Sequence, residues 1–174
     1  MILQNTTRLE NSRLRESFLD AVHPWPTEEL DVRIRYSRGS DFSGRCYYGT
    51  DRLHVNLGRH LNYPYRMGTY LARSVSADGG WWKPLYTIEL ADAYGVVLFV
   101  LLHEYYHWLI KRARRNTRQK ESMCDRFAAR ILLDRHAATV FDHDGRRVQR
   151  ETWDFQDLER FVAPALLPRP RAAG

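Results

Sequence analysis

Residues 96–109, VVLFVLLHEYYHWL, constrain this chain more than any other stretch, because they join an apolar run to three titratable side chains. Residues 96–102 are apolar on all sides, which predicts a buried helix rather than a surface one. His103 and His107 are four residues apart, so they share one helical face, and Glu104 lies beside them. Burying such groups without partners is costly. The sequence therefore predicts a bound partner at this place.

The chemistry of these three side chains favours a metal ion. Neutral imidazole nitrogens suit Zn²⁺, and a neighbouring carboxylate that is not a ligand can take a proton from a zinc-bound water. His-Glu-x-x-His on a helix is the arrangement of zincin metallopeptidases. The alternative is a chance match in a core helix, expected in roughly one or two chains in a hundred of this composition. We therefore predict His103 and His107 as zinc ligands and Glu104 as the general base.

A third protein ligand is needed, and Glu121 is the next candidate along the chain. Position 113 is Ala, which excludes the histidine that a metzincin has six residues past His107. A turn at residues 113–117 would fold a second helix back on the first, at an interaxial distance of about 8–10 Å, and bring Glu121 level with the histidine pair. Asp125 shares the face of Glu121 and is expected to orient a ligand imidazole.

HEYYH at residues 103–107 and Glu-x-x-x-Asp at 121–125 together resemble the gluzincin, or thermolysin-type, pattern. The Phe-Ala-Ala at 127–129 and the Leu-Leu at 132–133 are similar to the ImmA/IrrE family of compact intracellular metallopeptidases. The likeness spans residues 85–133, about a quarter of the chain. SprT-like proteases are the rival family, but they need a third histidine shortly after the first motif, and the chain has none between positions 107 and 136.

The resemblance implies a zincin-like domain in which Glu121 is the third ligand. It also implies that an extended peptide substrate pairs with an edge strand near the motif helix, and residues 53–57 or 85–90 are the candidates for that strand. Cys124 stands where the ImmA/IrrE family usually has Ala. We expect Cys124 to pack as a small apolar residue, with metal ligation as the less favoured alternative.

Alternating and periodic apolar positions predict an α+β fold. An N-terminal helix is expected at residues 7–22, opened by a Thr7-x-x-Glu10 capping box. Strands at 30–36, 46–48, 53–57 and 85–90 would form a small, mainly antiparallel sheet. We further expect a helix at 65–73 and a last helix at 152–163. The motif helix and the antiparallel helix carrying Glu121 complete the set.

The length of 174 residues fits a single domain, predicted at residues 1–163, with a Pro- and Arg-rich tail at 164–174. The longest apolar run, residues 96–102, is too short to span a bilayer, so no membrane association is expected. Only two cysteines, Cys46 and Cys124, are present and they are far apart, which argues against a disulfide framework. These features predict a soluble cytoplasmic protein.

The 24 Arg and 3 Lys outnumber the 21 Asp and Glu and give a net charge of +6. The basic residues are concentrated in KRARRNTRQK, residues 111–120. Such a run can attract phosphate or an acidic partner. It is equally typical of a solvated corner between helices, where cations are favoured near a helix C-terminus. No RNP-like aromatic pattern accompanies it, so we favour the solvated corner over nucleic acid.

These predictions converge on zinc-dependent hydrolysis of peptide bonds in a protein or peptide substrate, as an endopeptidase. Glu104 would activate the zinc-bound water and return its proton to the leaving amine. A donor to the tetrahedral oxyanion is also needed, and Tyr86, His136, His143 or an arginine are candidates.

The alternative function is a non-catalytic binding module, stabilised by zinc, that contacts nucleic acid or a regulatory protein through residues 111–120. Glu104 separates the two functions, because a structural zinc site does not need a neighbouring carboxylate. A structural site would also normally be closed by a fourth protein ligand.

Overall fold

The computed structural model describes residues 1–77 and 79–168, and within them four α-helices and nine strands follow one another along the chain. The helices are α1 (Asn11–Val22), α2 (Ala93–Arg112), α3 (Glu121–Arg135) and α4 (Leu158–Val162). The strands are β1 (Ile2–Asn5), β2 (Asp31–Tyr36), β3 (Phe42–Tyr47), β4 (Arg52–Leu57), β5 (Tyr65–Thr69), β6 (Val75–Ala77), β7 (Gly80–Trp82), β8 (Tyr86–Leu90) and β9 (Thr139–Phe141). The predicted α+β class is confirmed.

The strands form three sheets, and four of the six described strand pairs are antiparallel. The largest sheet has the order β1-β2-β4-β3, in which β1 and β2 are parallel and joined by α1 as a crossover helix. β2 and β4 are also parallel, whereas β3 runs antiparallel at the edge. The second sheet has the order β5-β8-β9, and β6 and β7 form a separate hairpin.

The helix α2 is the core of the fold, because most of its residues are buried. It packs against β3 and β4 on one side and α3 on the other. Its first turn is capped by Asp92, whose side chain accepts a hydrogen bond from the Gly95 N–H at 2.8 Å. α2 is long and apolar enough to cross a bilayer, but 78% of its most apolar window is buried inside the fold. It therefore resembles the core helix of a soluble protein.

α3 packs against α2 through a face of small and aromatic residues. Cys124, Ala128 and Ala129 are fully buried there, and Phe127 stacks on Tyr106 with 4.7 Å between ring centroids. Small side chains allow two helix backbones to approach closely. The two helices run antiparallel, as predicted, and their approach places the start of α3 beside the second half of α2.

Several of the predicted elements differ in the structure. Residues 65–73 are not a helix: β5 occupies Tyr65–Thr69, because burial alternates along it and Arg66 pairs with Glu89 on the neighbouring β8 at 2.8 Å. The Thr7 capping box is also wrong. The Thr7 hydroxyl donates to Asn5 Oδ1 at 2.7 Å within a turn, and α1 begins at Asn11.

The C-terminal helix is shorter than predicted. Residues 150–152 form a 3₁₀ turn, and α4 begins only at Leu158, where Asp157 accepts a hydrogen bond from the Arg160 N–H at 2.9 Å. The expected tail at 164–174 is structured at its start, because a 3₁₀ turn at Ala163–Leu166 buries Ala165 in the core. Residues 169–174 lie outside the described part of the chain.

The buried guanidinium of Arg126 connects α3 with the loop after β5 and with the C-terminal segment. It donates to the carbonyl oxygen of Leu71 at 2.9 and 3.1 Å and to Gln156 Oε1 at 2.6 Å. Arg126→Leu leaves these buried acceptors unpaired and is expected to lower the free energy of unfolding by about 2–3 kcal/mol, measured by urea denaturation.

Arg146→Leu is the matched control for this change. The side chain of Arg146 is 78% exposed, and its ion pair with Asp144 lies at the surface, so the expected change is within about 0.5 kcal/mol. Equal losses in the two variants would contradict the role given to Arg126.

Candidate metal centre

His103 and His107 lie one turn apart on α2, with 5.0 Å between their ring centroids. The carboxylate of Glu121, at the first turn of α3, spans both rings. Its Oε2 lies 3.1 Å from His103 Nε2, and its Oε1 lies 3.3 Å from His107 Nε2. The structure thus brings together the three side chains that the sequence predicts as metal ligands.

Asp125 lies one turn further along α3 and holds the His103 ring from its other side. Its Oδ1 lies 2.7 Å from His103 Nδ1, and its Oδ2 accepts a hydrogen bond from the Tyr70 N–H at 2.6 Å. Because Nδ1 is engaged in this way, Nε2 of His103 faces Glu121. Asp125 therefore occupies the position expected of a carboxylate that orients a ligand imidazole.

Cys124 is fully buried, as expected of a small apolar residue. Its Sγ and the ligand nitrogens of His103 and His107 also lie within 4.8 Å of one another, which keeps metal ligation open. The sequence could indicate this position, because Cys124 follows Glu121 by three residues and residues at i and i+3 share a helical face. The structure thereby adds a sulfur atom to the group of potential donors.

The titratable side chains in this group shift one another's pKa values. Burial alone would lower the pKa of His103, but its hydrogen bonds with Asp125 and Glu121 outweigh burial and raise that pKa to about 10. The hydrogen bond from His103 lowers the pKa of Glu121, while burial and then the charge on His103 lower the pKa of His107. A His103 ring that is protonated at both nitrogens can donate from Nε2 to Glu121. His103 would have to be deprotonated at Nε2 to ligate a metal there.

Glu104 lies beside this group but faces the edge strand β3 rather than α3. Burial raises the pKa of its carboxyl to about 7, although the charge on His103 opposes part of the rise. The backbone of Cys46, on β3, also opposes part of the rise in this pKa. Glu104 is thus a buried carboxylate beside the backbone of a neighbouring strand.

β3 approaches Glu104 this closely because position 44 is glycine. A Cβ added to Gly44 would lie 2.7 Å from Glu104 Cγ and 2.8 Å from Val100 Cγ1, and closer still to Glu104 Oε1. No side chain larger than hydrogen fits without displacing one of these atoms. The predicted strand at 46–48 did not include this position, so the contact between Gly44 and Glu104 was missed.

A cleft of about 280 Å³ opens over Glu104 and His103. Its other walls are formed by residues of β3, of β5 and the loop after it, and of α2 and α3: Phe42, Gly44, Met67, Gly68, Tyr70, Phe99, Val100 and Asp125. β3 and β5 are both edge strands. The expectation that residues 53–57 or 85–90 pair with a substrate was wrong, because β4 and β8 each lie between two other strands and have no free edge.

The predicted oxyanion donors Tyr86, His136 and His143 do not line this cleft in the described part of the chain. His136 lines a different cavity with Arg13 and Asp92, and His143 lies 3.4 Å from Asp144 in an exposed turn. Tyr70 does line the cleft and is 58% exposed. It was missed because its position depends on β5, which the sequence predicted as a helix.

The basic run at residues 111–120 is partly used in contacts within the fold. Arg112 donates to the carbonyl oxygen of Ala165 at 2.9 Å and to Glu29 at 2.6 Å, and Arg115 donates to the carbonyl oxygen of Phe161 at 3.3 Å. These contacts fasten the C-terminal segment to the corner between α2 and α3. They give the run a structural role besides any attraction for an acidic partner.

No protein-family model, no curated protein and no solved structure matches this chain. The resemblance to gluzincins and to the ImmA/IrrE family therefore rests on the motifs alone.

The close contact of Gly44 with Glu104 and Val100 leaves no room for a larger side chain. Gly44→Ala must push β3 away from α2 or displace Glu104, and overpacking of this kind is expected to lower the free energy of unfolding by about 1–3 kcal/mol in urea denaturation. Gly49→Ala is the control, because a Cβ there meets nothing within 4 Å. We expect Gly49→Ala to change stability by less than about 1 kcal/mol. An equally stable Gly44→Ala variant would show that β3 does not press on Glu104.

Proposed function

We propose that this protein is a zinc-dependent endopeptidase, with His103, His107 and Glu121 as metal ligands and Glu104 as the general base. The observation that carries the proposal is that the carboxylates of Glu121 and Glu104 occupy different positions around the histidine pair. Glu121 reaches both imidazoles, whereas Glu104 lies in the cleft beside them and packs against β3 at Gly44. A purely structural metal site has no use for the second, buried carboxylate.

The donor atoms fit zinc. Two imidazole nitrogens and one carboxylate oxygen form the set found in catalytic zinc sites of the thermolysin type. The contact between His103 and Asp125 supports this choice, because zinc-binding imidazoles usually donate their other N–H to a carboxylate or carbonyl. Hard cations such as Mg²⁺ and Ca²⁺ favour oxygen ligands and fit this set poorly.

When bound, zinc supplies Lewis acidity and lowers the pKa of a water to about 7. Glu104 takes a proton from the attacking water as the new C–O bond forms at the scissile carbonyl. The C–N bond then breaks, and Glu104 returns the proton to the leaving amine. Burial of Glu104 at 9% exposure keeps bulk water from competing for this proton. We assign the phenol of Tyr70 as the donor to the oxyanion, because it lines the same cleft.

An extended peptide is the substrate that the walls of the cleft favour. β3 and β5 each present an unpaired backbone edge, and a peptide can add to such an edge as a further strand. We propose a protein or peptide substrate bound in this way, and the cytoplasm as the location, where Cys46 and Cys124 stay reduced.

Metal analysis tests the ligand set. We expect the purified protein to carry about one zinc per chain and His103→Ala or His107→Ala to lose it, because each removes one of three ligands. Asp125→Asn is expected to weaken zinc affinity by roughly 10- to 100-fold in competition with a chelator. His143→Ala is the control: this exposed residue pairs with Asp144, and its replacement is expected to leave the metal content unchanged. Full zinc retention in both alanine variants on α2 would refute the site.

Glu104→Gln tests catalysis separately from metal binding. The amide is nearly isosteric but cannot accept a proton, so zinc content and fold are expected to persist while peptide hydrolysis falls by about 10²- to 10⁴-fold. Glu159→Gln is the matched control, because Glu159 is 69% exposed and pairs with Arg130 at the surface. The inactive variant should still hold an uncleaved substrate.

One result with this variant would reject catalysis and leave zinc binding intact. If the wild type and Glu104→Gln both bind zinc and hold the same partner, and neither shortens it, the protein is a binding module. The basic run at residues 111–120 would then be its main contact surface.

A further inference from the structure

Cys124 has no part in the proposed hydrolysis, yet it lies in the metal centre. Its Sγ is within 4.8 Å of the ligand nitrogens of His103 and His107. Cys124 is fully buried, whereas the side chain of Glu121 is 56% exposed. The histidine pair therefore has a buried donor and a solvent-exposed donor, three residues apart on the same face of α3.

The two histidines have unequal hydrogen-bond partners. His103 has a carboxylate on each ring nitrogen. His107 is only 7% exposed, and its Nδ1 is buried without a hydrogen-bond partner in the described part of the chain. A buried ring nitrogen without a partner costs free energy. Its other nitrogen, Nε2, has only the 3.3 Å contact with Glu121, so a ligand bound at Nε2 would strengthen the weak contacts of this buried ring.

We propose that Cys124 binds the metal through its sulfur, as a fourth protein ligand beside His103, His107 and Glu121. This inference rests on the zinc site of the proposed function and concerns its regulation. On binding, the S–H bond breaks, a sulfur–metal bond forms, and the proton passes to solvent. Thiolate is a soft ligand, so the complete set favours Zn²⁺ or Co²⁺ over Mg²⁺ and Ca²⁺.

A fourth protein ligand changes what the centre does at rest. Tetrahedral zinc sites with four protein ligands are closed, whereas catalytic sites keep one position for water. Cys124 therefore competes with water for that position, and the resting centre is closed. Hydrolysis requires the sulfur–metal bond to open, which makes Cys124 an internal inhibitor of the site in which it lies.

Cobalt spectroscopy tests the ligand directly and does not depend on activity. The metal-free protein is titrated with Co²⁺ alone. We expect the visible d–d bands of bound cobalt together with a near-ultraviolet sulfur-to-cobalt charge-transfer band, both saturating at one equivalent. Cys124→Ala should lose the charge-transfer band and keep the visible bands, since three ligands remain. Cys46→Ala is the matched control, and it should keep both.

A measurement on the unmodified protein guards against a Cys124 variant that fails to fold. X-ray absorption at the zinc edge of the wild type should include one sulfur scatterer at about 2.3 Å besides nitrogen and oxygen. Visible cobalt bands without a charge-transfer band, and a zinc shell of nitrogen and oxygen only, would overturn the proposal and leave the zinc site intact. A charge-transfer band that survives Cys124→Ala and disappears in Cys46→Ala would also overturn it.

The failure of the proposed function gives a different pattern. If neither Co²⁺ nor Zn²⁺ binds the folded wild type, there is no metal centre, and the role of Cys124 falls with it.

Discussion

The cost of burying polar groups in an apolar helix governs this structure. His103, Glu104 and His107 lie on α2, whose neighbours exclude water almost completely. Such groups are tolerated only where partners replace the lost hydration. Two of the surrounding elements contact them: α3 supplies Glu121 and Asp125, and β3 packs against Glu104 at Gly44. Two of the elements that pack on α2 thus also complete the centre.

The partners are themselves held by further contacts. Asp125 is fixed by the N–H of Tyr70, and the loop that carries Tyr70 is fastened to α3 by the guanidinium of Arg126. Because Arg126 also reaches Gln156, the C-terminal segment contributes to the same arrangement. The site is therefore supported by non-local contacts from much of the chain, although its chemistry lies on two helices.

The sequence predicted the parts of the site that depend on helical spacing. His103, Glu104 and His107 follow from a four-residue interval, and the position of Glu121 and Asp125 follows from a short turn between two periodic segments. The contacts that were missed depend on strand pairing or on packing between distant residues. Gly44 beside Glu104 requires the position of β3 in the sheet, and Tyr70 requires β5, whose short alternation was taken for a helix. Cys124 was expected to pack as an apolar residue, and its burial agrees with that, but only the packing of α3 on α2 reveals that its sulfur faces two imidazoles.

The close packing of β3 on Glu104 has a geometric consequence for any chain that pairs with this edge. Backbone groups along a strand point the same way only at every second residue, so the N–H groups of Phe42, Gly44 and Cys46 share one direction. A peptide aligned on this edge keeps its phase only if it moves by two residues, about 6.8 Å, at a time. The same strand that packs against Glu104 would then also set which residues of that peptide lie beside it.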